Sequence, residues 1–229
     1  MTVAVPPPSS PSSQPRPAYE PPALDGIVLD GISWETYERL RDEIDDCGQP
    51  VYITYDQGRM VLMSPRPEHE RWKRFIGRLV EMLTLELRVP IASLGNTTWR
   101  RQDVSRGLEA DECYYVQHEK DVRGKLDINL RRDPPPDLAI EVELTHHPAD
   151  REGVYASLGV PEVWHYDGDR LTCHLLGPGG KYAASEYSAA FPFLRPSEVA
   201  RFVAMLPTAD ENSIIAAFLE WVRAHARPS

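Results

Sequence analysis

The stretch from Asp137 to Leu144 carries three carboxylates in a run that otherwise has the composition of a buried strand. Asp137, Glu141 and Glu143 share one register, while apolar side chains fill the other. Because successive strand residues point to opposite faces, one face would be apolar and the other acidic. Neighbouring same-face positions lie roughly 7 Å apart, so Glu141 and Glu143 would repel each other unless a cation or water lies between them. A divalent metal site and a half-exposed strand with solvated acids both fit this pattern.

A further carboxylate, Asp111, stands thirty positions before Glu141, at the start of a predicted strand from Cys113 to Val116. If the two strands are neighbours, Asp111 and Glu141 could hold Mg²⁺, which takes one or two carboxylates and completes its octahedron with water. Such an ion clamps phosphate oxygens and generates hydroxide, so these acids are the minimum set for phosphodiester cleavage. The alternative is that Asp111 is an ordinary turn residue flanking a strand.

Two more groups could contribute to a metal site. His69 and Glu70 begin the longest predicted helix and could face the site, although the helix dipole alone favours acids at this position. His146 and His147 could bind a softer metal, but adjacent residues rarely both reach one ion.

Basic residues follow the Asp111 segment and border the acidic strand. Lys120, Arg123 and Lys125, together with Arg131 and Arg132, are candidates for phosphate contacts. The same residues could equally form a solvated charged loop.

Composition limits the class of protein. The chain has 229 residues and a formal net charge of -10, which argues against non-specific coating of nucleic acid but allows a local basic patch. It has no apolar run near the roughly 18 residues that a membrane-spanning helix needs, so we expect no membrane association. The start shows no secretory signal, and three widely spaced cysteines suit a reducing compartment, so we expect a cytoplasmic protein. No P-loop, Rossmann glycine pattern, Ser-His-Asp elbow or CxxC pair is present.

The elements that would position these acids can be read from the periodicity. Residues 1–23 hold eight of the 22 prolines and several serines, which predicts a disordered tail before a single domain at 24–229. Helices are predicted from Ser33, from Pro67, over the segment ADREGVYASLGV, and over the segment DENSIIAAFLEWVRAHA. Hairpins are predicted around Gly58 and Gly168. This order predicts a mixed α+β or α/β fold with one central mixed sheet flanked by helices.

The ordered series GLEADECYYV, PPPDLAIEVELTHH and ADREGVYASLGVPEVWHYDGDRL resembles the Uma-two family of restriction-endonuclease-like proteins, in the PD-(D/E)xK nuclease superfamily. The likeness is close over residues 105–176 and looser from residue 24 to the C-terminal helix. Its most specific part is the segment GVPEVWHYDG. The resemblance implies a restriction-endonuclease-like core in which Asp111 and Glu141 bind the metal.

The resemblance also exposes a departure from the family pattern. Two residues after the glutamate, where the superfamily has a catalytic lysine, this chain has Glu143. The family implies that a basic residue of the following helix, here Arg151, takes over as electrostatic stabiliser. Arginine stays protonated, so the base would be Glu143 or a metal-bound water.

These features predict an endonuclease that hydrolyses DNA with Mg²⁺ or Mn²⁺ and acts as a homodimer, because cutting both strands of a duplex favours two symmetric sites. Two alternatives stay open. A weakened nuclease-fold protein could bind nucleic acid or a partner without cutting, and a scaffold could carry the acidic face merely as surface.

Overall fold

The computed structural model describes residues 26–64, 66–144 and 147–226. The predicted tail, residues 1–23, and His146 lie outside the described residues, so the expected domain boundary at residue 24 stays a prediction.

Two sheets and six helices make up the described chain. The strands are β1 (Ile27–Leu29), β2 (Tyr52–Asp56), β3 (Arg59–Met63), β4 (Ala92–Ser93), β5 (Thr98–Arg101), β6 (Arg106–Glu109), β7 (Glu112–Tyr115), β8 (Leu138–Val142), β9 (Glu162–Tyr166), β10 (Leu171–Leu176) and β11 (Tyr182–Ser185). The helices are α1 (Trp34–Asp46), α2 (Pro67–Leu87), α3 (Glu119–Val122), α4 (Arg151–Leu158), α5 (Pro196–Val203) and α6 (Glu211–His225).

The larger sheet contains the acidic strand. Its order is β11-β10-β9-β8-β7-β4, and every pair is antiparallel except β8 and β9, which are parallel. Parallel neighbours need a crossover connection, and α4 provides it. The mixed fold class predicted from the sequence is therefore confirmed.

Strand β8 is covered on both faces, and all five of its residues are buried. Ile140 and Val142 belong to a core with Phe75 of α2 and Phe218 of α6, whereas Ala139 packs in a second core with residues of α4. The interpretation of this segment as a half-exposed strand with solvated acids is therefore wrong.

The smaller sheet was not expected. Strands β1-β3-β2-β6-β5 form a separate antiparallel sheet, covered by α1 through Trp34 and Tyr37, so the prediction of one central sheet is corrected to two. The chain leaves this sheet at Glu109 and enters the larger one at Glu112. Apolar alternation predicts that a strand exists but not which sheet it joins, because pairing depends on contacts distant in sequence.

Local signals place the helices that frame the acidic strand. Pro67 begins α2, and the Asp150 side chain caps α4 by accepting a hydrogen bond from the Gly153 amide at 2.9 Å. Gly159 ends α4 with a φ of 83°, which a residue without Cβ adopts freely. The predicted charged loop after β7 contains the one-turn helix α3. None of the described helices is long and apolar enough to cross a membrane.

Helix α2 approaches β7 so closely that Gly77 has no room for a side chain. A Cβ there would lie 2.9 Å from the Tyr114 hydroxyl oxygen and 3.4 Å from Glu112 Cδ. We therefore expect Gly77→Ala to destabilise the protein by about 1 to 3 kcal/mol through overpacking, despite the better helix propensity of alanine.

Tyr114→Phe supplies the matched test, since it removes the clashing atom and keeps the ring. Gly77→Ala should cost clearly less when it is combined with Tyr114→Phe than when it is made alone, as measured by urea unfolding of both single variants and the double variant. Equal costs in both backgrounds would contradict the steric account.

Candidate active site

The two predicted metal ligands meet where β7 begins beside the end of β8, with Asp111 directly before β7 and Glu141 within β8. The antiparallel register pairs Glu112 with Ile140 and Cys113 with Ala139. One further step in that register sets Asp111 opposite Glu141, and directly opposed residues share a face with Cβ atoms about 4.5 to 5.5 Å apart. Asp111 is 2% exposed and Glu141 5%, and both line one pocket at the carboxyl end of β8.

Asp111 is held by the backbone and by helix α2. Its Oδ2 accepts a hydrogen bond from the Val142 amide at 2.8 Å and lies 2.9 Å from His69 Nε2. Burial favours a higher pKa for Asp111, but the bond and charge of His69 outweigh it and lower that pKa. Burial likewise acts to lower the pKa of His69, and Asp111 raises it overall. The two groups thus favour a carboxylate beside an imidazolium.

Glu141 is held by helix α4. Its Oε1 accepts hydrogen bonds from Arg151 Nη2 at 2.6 Å and from the Tyr155 hydroxyl. Burial raises the pKa of Glu141 to about 7; the Arg151 charge opposes this shift, and the Asp111 charge adds to it. Glu141 therefore titrates near neutral pH, whereas Asp111 stays ionised.

Arg151 connects both sheets through one side chain that is 10% exposed. Its Nη1 donates to Thr54 Oγ1 of β2 at 2.9 Å, and its Nη2 donates to the Glu109 carbonyl of β6 at 2.7 Å as well as to Glu141. Burial acts to lower the pKa of Arg151, but the Glu141 carboxylate raises it overall. Arg151 is thus a permanent cation and cannot accept a proton.

Glu143 follows β8 and forms part of the same pocket wall. Its amide donates to the Tyr166 carbonyl at 2.8 Å, and its Oε1 accepts from the His147 amide at 2.7 Å. The pocket therefore contains all four predicted catalytic residues, Asp111, Glu141, Glu143 and Arg151, together with His69.

The remaining acid of the sequence pattern has a different task. Asp137 lies at the other end of β8, where its Oδ2 accepts from the Val116 amide at 2.7 Å and the His118 amide at 2.9 Å. Asp137 therefore fastens the end of β7 to the start of β8 and takes no part in the pocket.

The predicted nucleic-acid contacts are not brought to the pocket. Lys120, Arg123 and Lys125 follow the carboxyl end of β7, whereas Asp111 precedes its amino end, so at least four residues of strand, roughly 13 Å, separate them. Arg123 donates to Glu119 Oε1 at 2.7 Å, and Lys125 Nζ donates to Asp133 Oδ1 at 2.6 Å. These two cations are already paired with acids of their own loop.

Glu70, the candidate acid at the start of α2, is surrounded by groups that the sequence did not predict. Glu70 Oε1 lies 3.3 Å from His69 Nδ1 and accepts from the Tyr52 hydroxyl at 3.1 Å. Lys73 Nζ donates to that hydroxyl oxygen at 2.9 Å and lies 3.1 Å from Glu70 Oε2. Glu70 thus supports His69 rather than lining the pocket itself. The spacing of Glu70 and Lys73, three residues apart on one helix, was the available signal.

Tyr155 and His165 were also missed. Tyr155 lies four residues after Arg151, so the helical repeat could have placed it beside the same carboxylate. His165 pairs with Glu141 in the parallel ladder and lines the pocket. Burial, with the charges of His174 and Arg151, lowers the pKa of His165 to about 4, so its imidazole is neutral at pH 7.

The donor set fits a hard divalent cation. Carboxylate oxygens are the ligands that Mg²⁺ and Mn²⁺ prefer, and one or two of them, with water, suffice for Mg²⁺. Among the described residues, Asp111 accepts hydrogen bonds only through Oδ2 and Glu141 only through Oε1. The other oxygen of each carboxylate is available to an ion.

The chain is similar to one family of known proteins. A family model described as "Uma2: Putative restriction endonuclease" matches residues 34–224. A solved structure titled as a "putative nuclease belonging to DUF820", from Anabaena variabilis ATCC 29413, matches with a TM-score of 0.41 and 10% sequence identity, covering 73% of this chain and 90% of that one. That structural likeness is too weak to carry an argument. No curated protein matches the chain.

The buried pair of Arg151 and Glu141 predicts a pH-dependent stability. In the intact protein, the Glu141 pKa is raised from 4.5 to about 7. The stabilisation from this proton is complete below pH 4.5 and is lost as the pH rises through about 7. Arg151→Met removes the cation, so the folded-state pKa should rise further and the loss should continue at higher pH. We expect a cost of about 3 to 5 kcal/mol at pH 8 and a smaller cost at pH 5.

Urea unfolding at both pH values measures this difference. The Glu141→Gln/Arg151→Met double variant is the control, since without the carboxylate the cost of losing Arg151 should no longer grow with pH. A cost of Arg151→Met that is equal at pH 5 and pH 8 would refute the pairing.

Proposed function

Because the chain belongs to the Uma2 family, described as "putative restriction endonuclease", we propose that it is an endonuclease that hydrolyses DNA phosphodiester bonds with a divalent metal ion. The observation that carries the proposal is the placement of Asp111 opposite Glu141 on one face of the larger sheet, within one pocket. Two carboxylates, completed by water, are sufficient to hold a Mg²⁺ ion for phosphate chemistry.

The ion itself would be Mg²⁺ or Mn²⁺, held by Asp111 and Glu141. When bound, it neutralises charge on the phosphate and lowers the pKa of water. The protein contributes orientation, because His69 and the Val142 amide fix Asp111 while Arg151 and Tyr155 fix Glu141.

Arg151 serves this site by balancing charge. Both of its terminal nitrogens are bound by protein oxygens, so we assign it as a positioning residue that holds Glu141 and offsets the negative charge of the pocket. A pocket with three carboxylates and no such cation would repel a phosphate.

Glu143 is the proposed base. It is half-buried, lines the pocket, and has one oxygen oriented by the His147 amide. A carboxylate in this position can take a proton from the attacking water, which Arg151 cannot.

One observation favours the second candidate, a nuclease-fold protein with weakened catalysis. The position where the superfamily resemblance places a lysine carries Glu143, an acid that cannot stabilise the charge developing on the phosphate. Such a protein would still bind metal and DNA at this pocket but would not cut.

Plasmid cleavage distinguishes these two functions. Purified protein with Mg²⁺ or Mn²⁺ should convert supercoiled plasmid to nicked circles, and Asp111→Asn and Glu141→Gln should each lower the initial rate by roughly 10²-fold or more. Asp121→Asn, which removes an exposed carboxylate from α3, should cleave like the wild type.

Calorimetry with Mn²⁺ completes the assignment. If the wild type binds Mn²⁺ but does not cleave, and both site variants lose the binding, the protein is the weakened form and not a nuclease. If the wild type does not bind Mn²⁺ at all, both functions are contradicted. Linear product that appears together with nicked circles would support a homodimer, which we propose because paired cuts need two symmetric sites.

The affinity for DNA should depend differently on two basic residues, Arg66 beside the pocket and Lys120 at the far end of β7. Arg66 is exposed, precedes α2 and lines the pocket, whereas exposed Lys120 lies at the far end of β7. We expect Arg66→Ala to weaken binding of a short duplex more than Lys120→Ala does. Arg66→Ala should also reduce the slope of log affinity against log salt by about 0.9, the value for one lost phosphate contact. Fluorescence anisotropy in Ca²⁺ measures both quantities, and a larger effect of Lys120→Ala would place the DNA on the other end of the sheet.

A further inference from the structure

We propose that Glu152, His165 and His174 form a second metal site, selective for Zn²⁺ over Mg²⁺ and Mn²⁺ and separate from the pair Asp111 and Glu141. One carboxylate and two imidazoles are a ligand set typical of Zn²⁺ rather than Mg²⁺. The inference rests on these three side chains and holds whether or not the protein cuts DNA.

The three ligand atoms already lie close together. Glu152 Oε1 is 2.8 Å from His174 Nδ1 and 3.3 Å from His165 Nε2, and all three atoms lie within 4.8 Å of one another. Zinc-ligand distances of about 2.0 to 2.1 Å in a tetrahedron require ligand atoms roughly 3.4 Å apart. Small side-chain rotations therefore suffice to bind an ion. This is the one group of three or more such residues with this spacing in the part of the chain that the structure describes.

Rigid elements set this geometry. His165 of β9 pairs with Thr172 of β10, and His174 pairs with Val163, so the two histidines lie diagonally on one face of the sheet. Their ring centroids are 5.1 Å apart. Glu152 is the second residue of α4 and reaches the same face from above. A site built on two strands and a capped helix is already formed before an ion arrives.

Within the described chain, one polar atom of the cluster, His165 Nε2, lacks a partner that a bound ion would supply. His165 Nε2 is shielded from solvent and has no hydrogen-bond partner among the described residues, since its 3.3 Å approach to Glu152 lacks hydrogen-bond geometry. Such a buried nitrogen costs free energy unless something binds it.

A supporting contact orients the second histidine. His174 Nε2 lies 3.2 Å from Thr172 Oγ1, so when an ion binds, Nε2 can keep the ring proton and Nδ1, 2.8 Å from Glu152 Oε1, can give its lone pair to the ion. Metal-binding histidines are usually fixed in this way through their other nitrogen. The side chains of His174 and Glu152 are 25% and 42% exposed, so an ion can enter from solvent.

The location puts the ion at the start of α4. Glu152 follows Arg151 directly, so an ion joining Glu152 to β9 and β10 would fasten the start of α4 beside the candidate active site. Three protein ligands leave a fourth position for water, and the cavity there is shared with Glu143 and His147.

Calorimetric titration of the tag-free, chelator-treated chain with Zn²⁺ tests the proposal. One equivalent should bind to Asp111→Asn, which loses the other site, and the wild type should bind that equivalent with the same affinity. His174→Ala should lose affinity by well over tenfold, and Thr172→Val by roughly 10- to 100-fold, the range for a supporting residue. His225→Ala, at the end of α6, should bind like the wild type.

Visible absorption of the Co²⁺-loaded protein gives a second test. Co²⁺ bound to the wild type should give the intense visible absorption of tetrahedral coordination, and this absorption should be lost in Glu152→Gln. The Glu152 side chain is 42% exposed, so Glu152→Gln should fold even if His174→Ala does not. Absence of Zn²⁺ binding in the wild type, or equal affinity in His174→Ala, Thr172→Val and the wild type, would overturn the proposal.

Discussion

The buried contact between Arg151 and Glu141 is the interaction on which the rest of the molecule depends. A carboxylate as buried as Glu141 is tolerated only when a cation and hydrogen bonds compensate its lost hydration. The compensating guanidinium also binds Thr54 and the Glu109 carbonyl, so a single side chain of α4 joins both sheets. The order of the two sheets and the helix between them is therefore inseparable from the charge balance of the pocket.

This dual use constrains the chemistry. Arg151 stabilises the fold and is therefore fixed in place. The fixed guanidinium also orients the Glu141 carboxylate, which would bind the ion. Asp111 follows the same rule on the other strand, with His69 and a backbone amide in place of arginine. Two basic residues, His69 and Arg151, thus lie among the carboxylates of the pocket, although the whole chain carries a formal net charge of -10.

The sequence was sufficient for the features that depend on local patterns. The helices α1, α2, α4 and α6, the strand β8 and its neighbour β7 were all predicted, and the family resemblance pointed to Asp111 and Glu141, which the fold brings to one pocket. The sequence could not predict the features that depend on contacts between residues far apart in the chain. Alternation put Asp137 on the same face as Glu141, but only the pairing of β7 with β8 shows that Asp137 serves the opposite end. Tyr155, His165 and His174 look like ordinary helix and strand residues until the crossover brings them together.

The pocket is assembled from segments far apart along the chain. Its hydrogen bonds join residues 97 positions apart for Arg151 and Thr54, 42 for His69 and Asp111, and 31 for Asp111 and Val142. Closing such long loops costs conformational entropy before the contacts stabilise the fold, so these contacts form late in folding. During synthesis, Asp111 leaves the ribosome forty residues before Arg151, the residue that completes the pocket. The pocket is therefore complete only after Arg151 has been synthesised and α4 has packed against both sheets.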